Sequence, residues 1–275
     1  MTTDFNIDPK LLAAYAEAVG EIPHFPTTCF SSSPVVVPMW AHYAENHKGF
    51  VIELFENELT SYLHEARIDN VKYSDRPLTD FADLIARVVH IGKPRYTYLL
   101  TNAVLEAAYF TKTVCWSYEQ ERRLIAQNSF VRELNDLILL DLPPACLKSI
   151  VCGANASQET KGRLQDISKT MGCEYYELRI GKSSSVPFLV DSSGRSFTFT
   201  GTEISSSKSF CKECKEPLGS VQEKCSWCQI DDAMRANAAS RNSYRILNHY
   251  GMLEEYIREM DSVTGSGRRD DAEGE

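Results

Sequence analysis

Two groups of residues in this 275-residue chain have types and spacing that suit chemistry. The first is the pair Glu119 and Glu121, one residue apart in a stretch rich in aromatic side chains. On a strand, both carboxylates would point to one face, where paired carboxylates can tune each other's ionisation and act on a sugar hydroxyl or a developing cation. A charged edge strand, or an acidic first turn leading into a helix, neutralised by Arg122 and Arg123, would give the same pattern.

The second group is a set of four cysteines: Cys211, Cys214, Cys225 and Cys228. Two Cys-x-x-Cys pairs with ten residues between them can place four thiolates around one ion, as in a zinc ribbon. Because four thiolates leave no open position for water, we expect a structural zinc. Two disulfides are the alternative, but the other five cysteines are scattered among apolar residues, which favours reduced cysteines and a cytoplasmic protein.

The surroundings of the cysteines bear on possible partners. Lysines and Trp227 lie around the four ligands, so nucleic-acid contact is one interpretation and protein docking is the other. The net charge of −9 gives no overall attraction to nucleic acid. Apolar residues then recur at spacings of three and four, which predicts an amphipathic helix over 233–262 that packs on the protein, recruits a partner or forms a homodimer.

The carboxylate pair must be positioned by residues 1–180, in which strands and helices mix without regular alternation. This predicts an α+β domain, a mixed sheet with flanking helices. Helices are predicted over 9–19, from 79 to Gly92, over 95–111 and over 157–171, and strands over 27–33, 50–55, 68–75, 136–142, 149–153 and 174–180.

The remaining segments are expected to be simpler. The serine-rich stretch 181–208 predicts a linker, with one hairpin around Gly194. The ribbon would then occupy 209–232, and the polar residues 263–275 predict a disordered tail. No apolar run approaches the roughly 20 residues that span a bilayer, so we expect no membrane association.

Further candidates lie in a short segment over 39–49, predicted to be a helix or turn. Its His42 could carry a proton or contact a phosphate, although such a histidine also commonly caps a helix.

Ser31 has no Gly-x-Ser-x-Gly context, which argues against a serine hydrolase. The chain also lacks a glycine-rich phosphate loop and a dinucleotide fingerprint.

Four blocks of sequence, at 39–50, 71–75, 112–122 and 150–153, resemble the bacterial domain-of-unknown-function family 2971. The resemblance covers about residues 27–180. The family has no assigned activity. Its members usually begin with an additional segment, which we expect to be missing here.

The order of a first strand, a Phe-Ser strand and a late Glu-x-Glu strand is also similar to ADP-ribosyltransferases, which split the glycosidic bond of NAD. This similarity implies NAD as substrate, in a defence or toxin setting. The competing hypothesis is a non-catalytic adaptor that binds a protein or nucleic acid through the ribbon or the terminal helix. Under the enzyme hypothesis the catalytic candidates are Glu121, Glu119 and His42, and the cofactor-binding candidates are Ser31, Ser32 and Tyr43.

Overall fold

The computed structural model describes residues 8–20, 24–76, 81–220 and 222–264. The chain divides into two compact units. The first comprises 1–208 with 215–217, and the second comprises 209–214 with 218–275. None of the helices in the described part of the chain combines the length and the apolar character needed to cross a bilayer.

Six α-helices lie in the described part of the first unit, and the ends of two of them show clear local sequence signals. The first begins where the Asp8 side chain accepts a hydrogen bond from the backbone N–H of Lys10, and the sixth is capped by Ser157 and ends at Gly172 with φ +70°. Both helices match the predicted ranges. The six are α1 (Pro9–Val19), α2 (Val37–Tyr43), α3 (Glu56–Tyr62), α4 (Phe81–Ile91), α5 (Pro94–Phe110) and α6 (Gln158–Met171).

The strands of the first unit form two main sheets. One is a six-stranded mixed sheet of order β13-β12-β11-β10-β9-β2, and the other is an antiparallel sheet of order β1-β6-β3; β9 and β10 run parallel. The predicted α+β class with a mixed sheet is confirmed. The strands are β1 (Thr27–Ser31), β2 (Phe50–Leu54), β3 (Arg67–Asn70), β4 (Lys72–Tyr73), β5 (Thr111–Lys112), β6 (Glu121–Ile125), β7 (Val131–Leu134), β8 (Leu137–Leu140), β9 (Leu147–Cys152), β10 (Glu174–Arg179), β11 (Phe188–Asp191), β12 (Ser196–Phe199) and β13 (Ile204–Ser206).

The core lies on both faces of the six-stranded sheet. Alternation along β9 sends Val151 to a cluster around Trp40 and sends Ile150 to a second cluster that includes Leu164 of α6. A third cluster packs Leu124 of β6 against α3. The strand that carries Glu121 is therefore anchored through its apolar face.

Two predictions for the first unit are wrong. The stretch 181–208 is not a linker, because its short apolar runs form β11, β12 and β13, although the hairpin predicted at Gly194 is present. The strand predicted to lie in the core over 136–142 becomes β8, paired with β7 in a hairpin. Its Leu137 and Ile138 are 61% and 62% exposed, because no other described strand covers that hairpin.

The second unit contains the four cysteines and three short helices, α7 (Asp232–Ser240), α8 (Ser243–His249) and α9 (Leu253–Thr264). The single helix predicted over 233–262 is therefore wrong. Asn242 caps the start of α8 with its side chain, and Gly251 takes φ +72° after its end, so the apolar stripe does not form a continuous coiled coil. Most of the tail predicted over 263–275 lies outside the described residues, except the last two residues of α9.

Candidate functional site

Glu119 and Glu121 belong to different elements. Glu119 is the last residue of a 3-10 helix over Val114–Glu119, and Glu121 is the first residue of β6. Between them Gln120 adopts a left-handed conformation with φ 47°. The prediction of one continuous strand is therefore wrong, yet the left-handed residue turns the chain so that both carboxylates reach the same cation.

That cation is Lys112, the last residue of β5. Its Nζ donates to Glu119 and, at 3.2 Å, to Oε2 of Glu121. Arg123 donates from Nε to Oε1 of Glu121 at 2.6 Å and from its guanidinium to the carbonyl of Tyr109 at 2.5 Å. The side chains of Glu119 and Glu121 are only 4% and 3% exposed. We call Lys112, Glu119, Glu121 and Arg123 the carboxylate cluster: two buried anions balanced by two cations.

Neighbouring elements fix this cluster in place. The hydroxyl of Tyr43, the last residue of α2, donates to Oε1 of Glu119 at 2.7 Å. The hydroxyl of Tyr73 accepts a hydrogen bond from the backbone N–H of Glu121 at 2.8 Å. Cys29 lies opposite Arg123 in the β1–β6 register, so its thiol shares a face with the cluster.

The environment keeps Glu121 ionised. Burial acts to raise its pKa, but hydrogen bonds from Arg123, Cys29 and Lys112 outweigh burial, and the pKa is lowered. Burial likewise acts against the charge of Lys112, but the two carboxylates raise its pKa. Partial desolvation, followed by the hydrogen bond to Glu121, raises the pKa of the Cys29 thiol, even though its side chain keeps an exposed surface. The hydrogen bond to Glu119 raises the pKa of Tyr43.

Aromatic rings flank the cluster on its accessible side. The Nζ of Lys112 lies 5.0 Å from the ring centroid of Trp116, within cation–π range. The Tyr118 ring is 6.1 Å from that of Trp116 and 6.4 Å from that of His42. Trp116 is 38% exposed and Tyr43 is 63% exposed. We call His42, Tyr43, Trp116 and Tyr118 the aromatic group.

The structure brings most of the predicted site residues together. Ser31 pairs with Glu121 across β1 and β6, although its hydroxyl donates to the carbonyl of Ser33. The hydroxyl of Ser32 donates to the carbonyl of Gln120 at 3.0 Å. His42 differs from the others, because its ring lies beside those of Tyr43 and Tyr118 and contacts neither carboxylate.

The sequence patterns assign no role to Lys112, and they do not distinguish Arg122 from Arg123. Alternation along β6 could have separated the two arginines, since only Arg123 shares the face of Glu121. Arg122 points the other way, to Glu56 and Asn70. No local signal identifies Lys112, because β5 reaches the cluster through the tertiary fold.

The four cysteines of the second unit also converge. Their sulfur atoms all lie within 4.8 Å of one another, and the Cys214 and Cys225 sulfurs are 3.7 Å apart. A tetrahedral zinc with Zn–S bonds of about 2.3 Å would separate its ligands by about 3.8 Å. All nine cysteines lie in the described residues and none forms a disulfide. The four cysteines can therefore hold a metal ion such as zinc.

The backbone around the cysteines favours thiolate at one ligand. Burial acts to raise the pKa of Cys211, but backbone N–H groups of Cys225, Cys214 and Glu213 lower it to about 6. The pKa of Cys228 is raised, first by its hydrogen bond with Cys225, as expected of a thiol beside other sulfurs. A bound dication reverses such a shift, since it deprotonates the thiols that coordinate it.

Residues 39–124 match the model of a family described as a protein of unknown function, DUF2971. The stretch 39–124 is therefore similar to this family. No curated protein and no solved structure matches the chain. The matched stretch includes three of the four resembling blocks and all four residues of the carboxylate cluster, Lys112, Glu119, Glu121 and Arg123. It ends before the block at 150–153 and does not include the cysteine cluster.

Proposed function

We propose that the carboxylate cluster and the aromatic group bind NAD and cleave its nicotinamide–ribose bond, passing ADP-ribose to water or another acceptor. The observation that supports this proposal is the position of the Lys112 ammonium, held between two buried carboxylates and the Trp116 ring. This is a binding position for a cation. The nicotinamide ring of NAD carries a positive charge and is planar, so it has both properties that this position favours.

The reaction needs a stable anion beside a developing cation. When the bond from the ribose carbon to the nicotinamide nitrogen breaks, its electron pair leaves with nicotinamide, and positive charge develops on the ribose carbon and ring oxygen. An ionised Glu121 stabilises that charge and accepts a hydrogen bond from a ribose hydroxyl. Its lowered pKa suits this electrostatic role and does not suit a general acid. Water then adds to the carbon and loses a proton.

Access to the carboxylates runs through Lys112. Its side chain is 26% exposed, against 13% for Arg123 and 3% for Glu121. Lysine has a flexible stem, so the ammonium can move out while an incoming cation replaces its charge. In this proposal Tyr43 and His42 line the entrance, Glu119 shares the bound charge, and Ser31 and Ser32 support the strand edge beneath.

The test is nicotinamide release from NAD by the full chain, measured by chromatography. We expect release by the wild type and at least a hundredfold loss in Glu121→Gln, as for removal of an electrostatic stabiliser. Glu53→Gln is the matched control, because Glu53 accepts hydrogen bonds from Lys148 and Ser149 in the other sheet. Undiminished turnover by Glu121→Gln would refute the catalytic assignment.

A second candidate function is a non-catalytic adaptor, with a structural zinc in the ribbon. Trp227 supports it, since this residue lies between two metal ligands and is 51% exposed, and exposed tryptophans are typical of protein interfaces. Residues 209–230 contain three lysines and three glutamates, and Lys212 and Lys224 pair with Glu223 and Glu213. That balance favours a protein over nucleic acid.

The adaptor is tested by titrating labelled RNA and DNA with the full chain at low and moderate salt. We expect no salt-dependent binding, and tight salt-dependent binding would replace the protein partner with nucleic acid. A defence role and a cytoplasmic location stay predictions.

A further inference from the structure

The helices α8 and α9 and the turn between them carry several large apolar side chains that are exposed. Six large side chains are between 38% and 69% exposed: Tyr244, Ile246, Tyr250, Met252, Tyr256 and Ile257. At roughly 200 Å² for a fully exposed large side chain, they leave about 600 Å² uncovered. A standard interface buries about 800 Å² on each partner, so this surface supplies most of what one stable contact needs.

The surface of α8 carries a depression that could accommodate side chains of a partner. An open depression of about 430 Å³ is lined by Arg245, Ile246, His249 and Tyr250. Its lining combines an aliphatic and an aromatic side chain with an arginine and a histidine, and contains no acidic residue. Residues 241–250 contain two arginines and no acidic residue.

The surface of α9 is complementary to it. Tyr256 and Ile257 are exposed on this helix, and Glu254, Glu255 and Glu259 lie beside them in the sequence. Residues 252–264 carry four acidic residues and one arginine. One chain therefore carries both an acidic helix with exposed apolar residues and a depression whose lining is basic and apolar.

We propose that two copies of this chain form a symmetric dimer in which α9 of each copy occupies the α8 depression of the other. One chain carries both the acidic and the basic surface, so a two-fold axis satisfies both at once. The contact uses helix faces and not the continuous coiled coil that Gly251 interrupts. This inference concerns the second unit alone and does not rest on NAD cleavage.

The test is the mass of the zinc-loaded full chain by light scattering and sedimentation over a concentration series. We expect a species of twice the 31.0 kDa chain mass. Arg245→Glu, and separately Glu254→Lys with Glu255→Lys, should each weaken self-association about tenfold or more, because like charges then face each other. Arg163→Glu makes the same charge change on α6 of the first unit, where Arg163 is exposed, and should leave the dimer intact.

Mixing the two charge variants gives the sharpest result. In a heterodimer of Arg245→Glu with the double lysine variant, both contacts pair opposite charges again, so two chains that fail to self-associate should bind each other. Zinc content and circular dichroism verify that each variant is folded. A wild-type chain that stays monomeric, or variants that do not pair when mixed, would overturn the proposal. Binding of a different protein to the same surface of such a monomer would identify another occupant.

Discussion

Replacing Lys112 with methionine tests whether the carboxylate cluster is held as described. The substitution keeps most of the side-chain volume but leaves Glu119 and Glu121 buried without the cation that they share. Removing one partner of a buried ion pair costs about 3–5 kcal/mol. Because the Lys112 side chain is 26% exposed, we expect the lower end of that range, about 3 kcal/mol.

The loss should depend on pH in a defined direction. The pKa of Glu121 is lowered in the folded protein, so in the wild type its stabilising contribution is present above the unfolded pKa of about 4.3 and is lost as pH falls through the folded value. Without Lys112, Glu121 loses one of the hydrogen bonds that hold its pKa down against burial, so its pKa rises towards the unfolded value of about 4.3. The deficit of Lys112→Met should therefore shrink as the pH falls from about 7 to about 4, because a protonated buried carboxyl no longer needs the cation.

Urea unfolding of the full chain measures this difference. Trp227 belongs to the second unit, so a Trp227→Phe background leaves Trp40 and Trp116 to report on the first. Lys169→Met is the matched control, since Lys169 and Asp166 are 75% and 78% exposed and their pair should contribute about 0.5 kcal/mol or less. Equal losses in the two variants, or a deficit at Lys112 that grows as the pH falls, would refute the reasoning.

Two further predictions concern backbone packing and the metal. Gly153→Ala should destabilise the first unit by about 3 kcal/mol, because the added Cβ would lie 2.2 Å from the carbonyl oxygen of His47. Gly162→Ala in α6 should instead stabilise it by about 0.5–1 kcal/mol, because nothing lies within 4 Å of the added Cβ. Thermal unfolding compares the two variants, and equal effects on stability would contradict this geometry. Elemental analysis should find one zinc per chain, lost in Cys225→Ser, and a full complement in that variant would show that the metal binds elsewhere.

The parts of the molecule that depend on local spacing could be predicted from the sequence. The four cysteines lie in two Cys-x-x-Cys pairs, so their spacing alone predicted that they converge on a site that could hold a metal ion. The helices α1 and α6 carry their own caps, Asp8 and Ser157, and these also follow from sequence. The separation of Glu119 and Glu121 in the sequence also predicted that their carboxylates would lie close together.

Features that depend on tertiary contacts could not be predicted. Gln120 is left-handed although its residue type does not favour that conformation, and Lys112 reaches the carboxylates only through the fold. Composition made 181–208 resemble a linker. In the structure, β11 pairs with the edge that β10 would otherwise leave unpaired, so these residues extend the sheet. Periodicity alone could not tell one helix from three. The apolar spacing continues across Asn242, which caps the start of α8, and across Gly251, which follows its end.

In the proposed function, the position of the Lys112 ammonium receives the charged ring of NAD. Rapid mixing of the full chain with oxidised or reduced NAD, with tryptophan fluorescence read before turnover, tests it directly, because reduction removes the positive charge of the nicotinamide ring and leaves the rest of the dinucleotide unchanged. We predict that the oxidised form binds about tenfold more tightly, from the loss of one cation contact worth about 1.4 kcal/mol. Equal affinity for the two forms, or no binding of the oxidised form, would contradict the account.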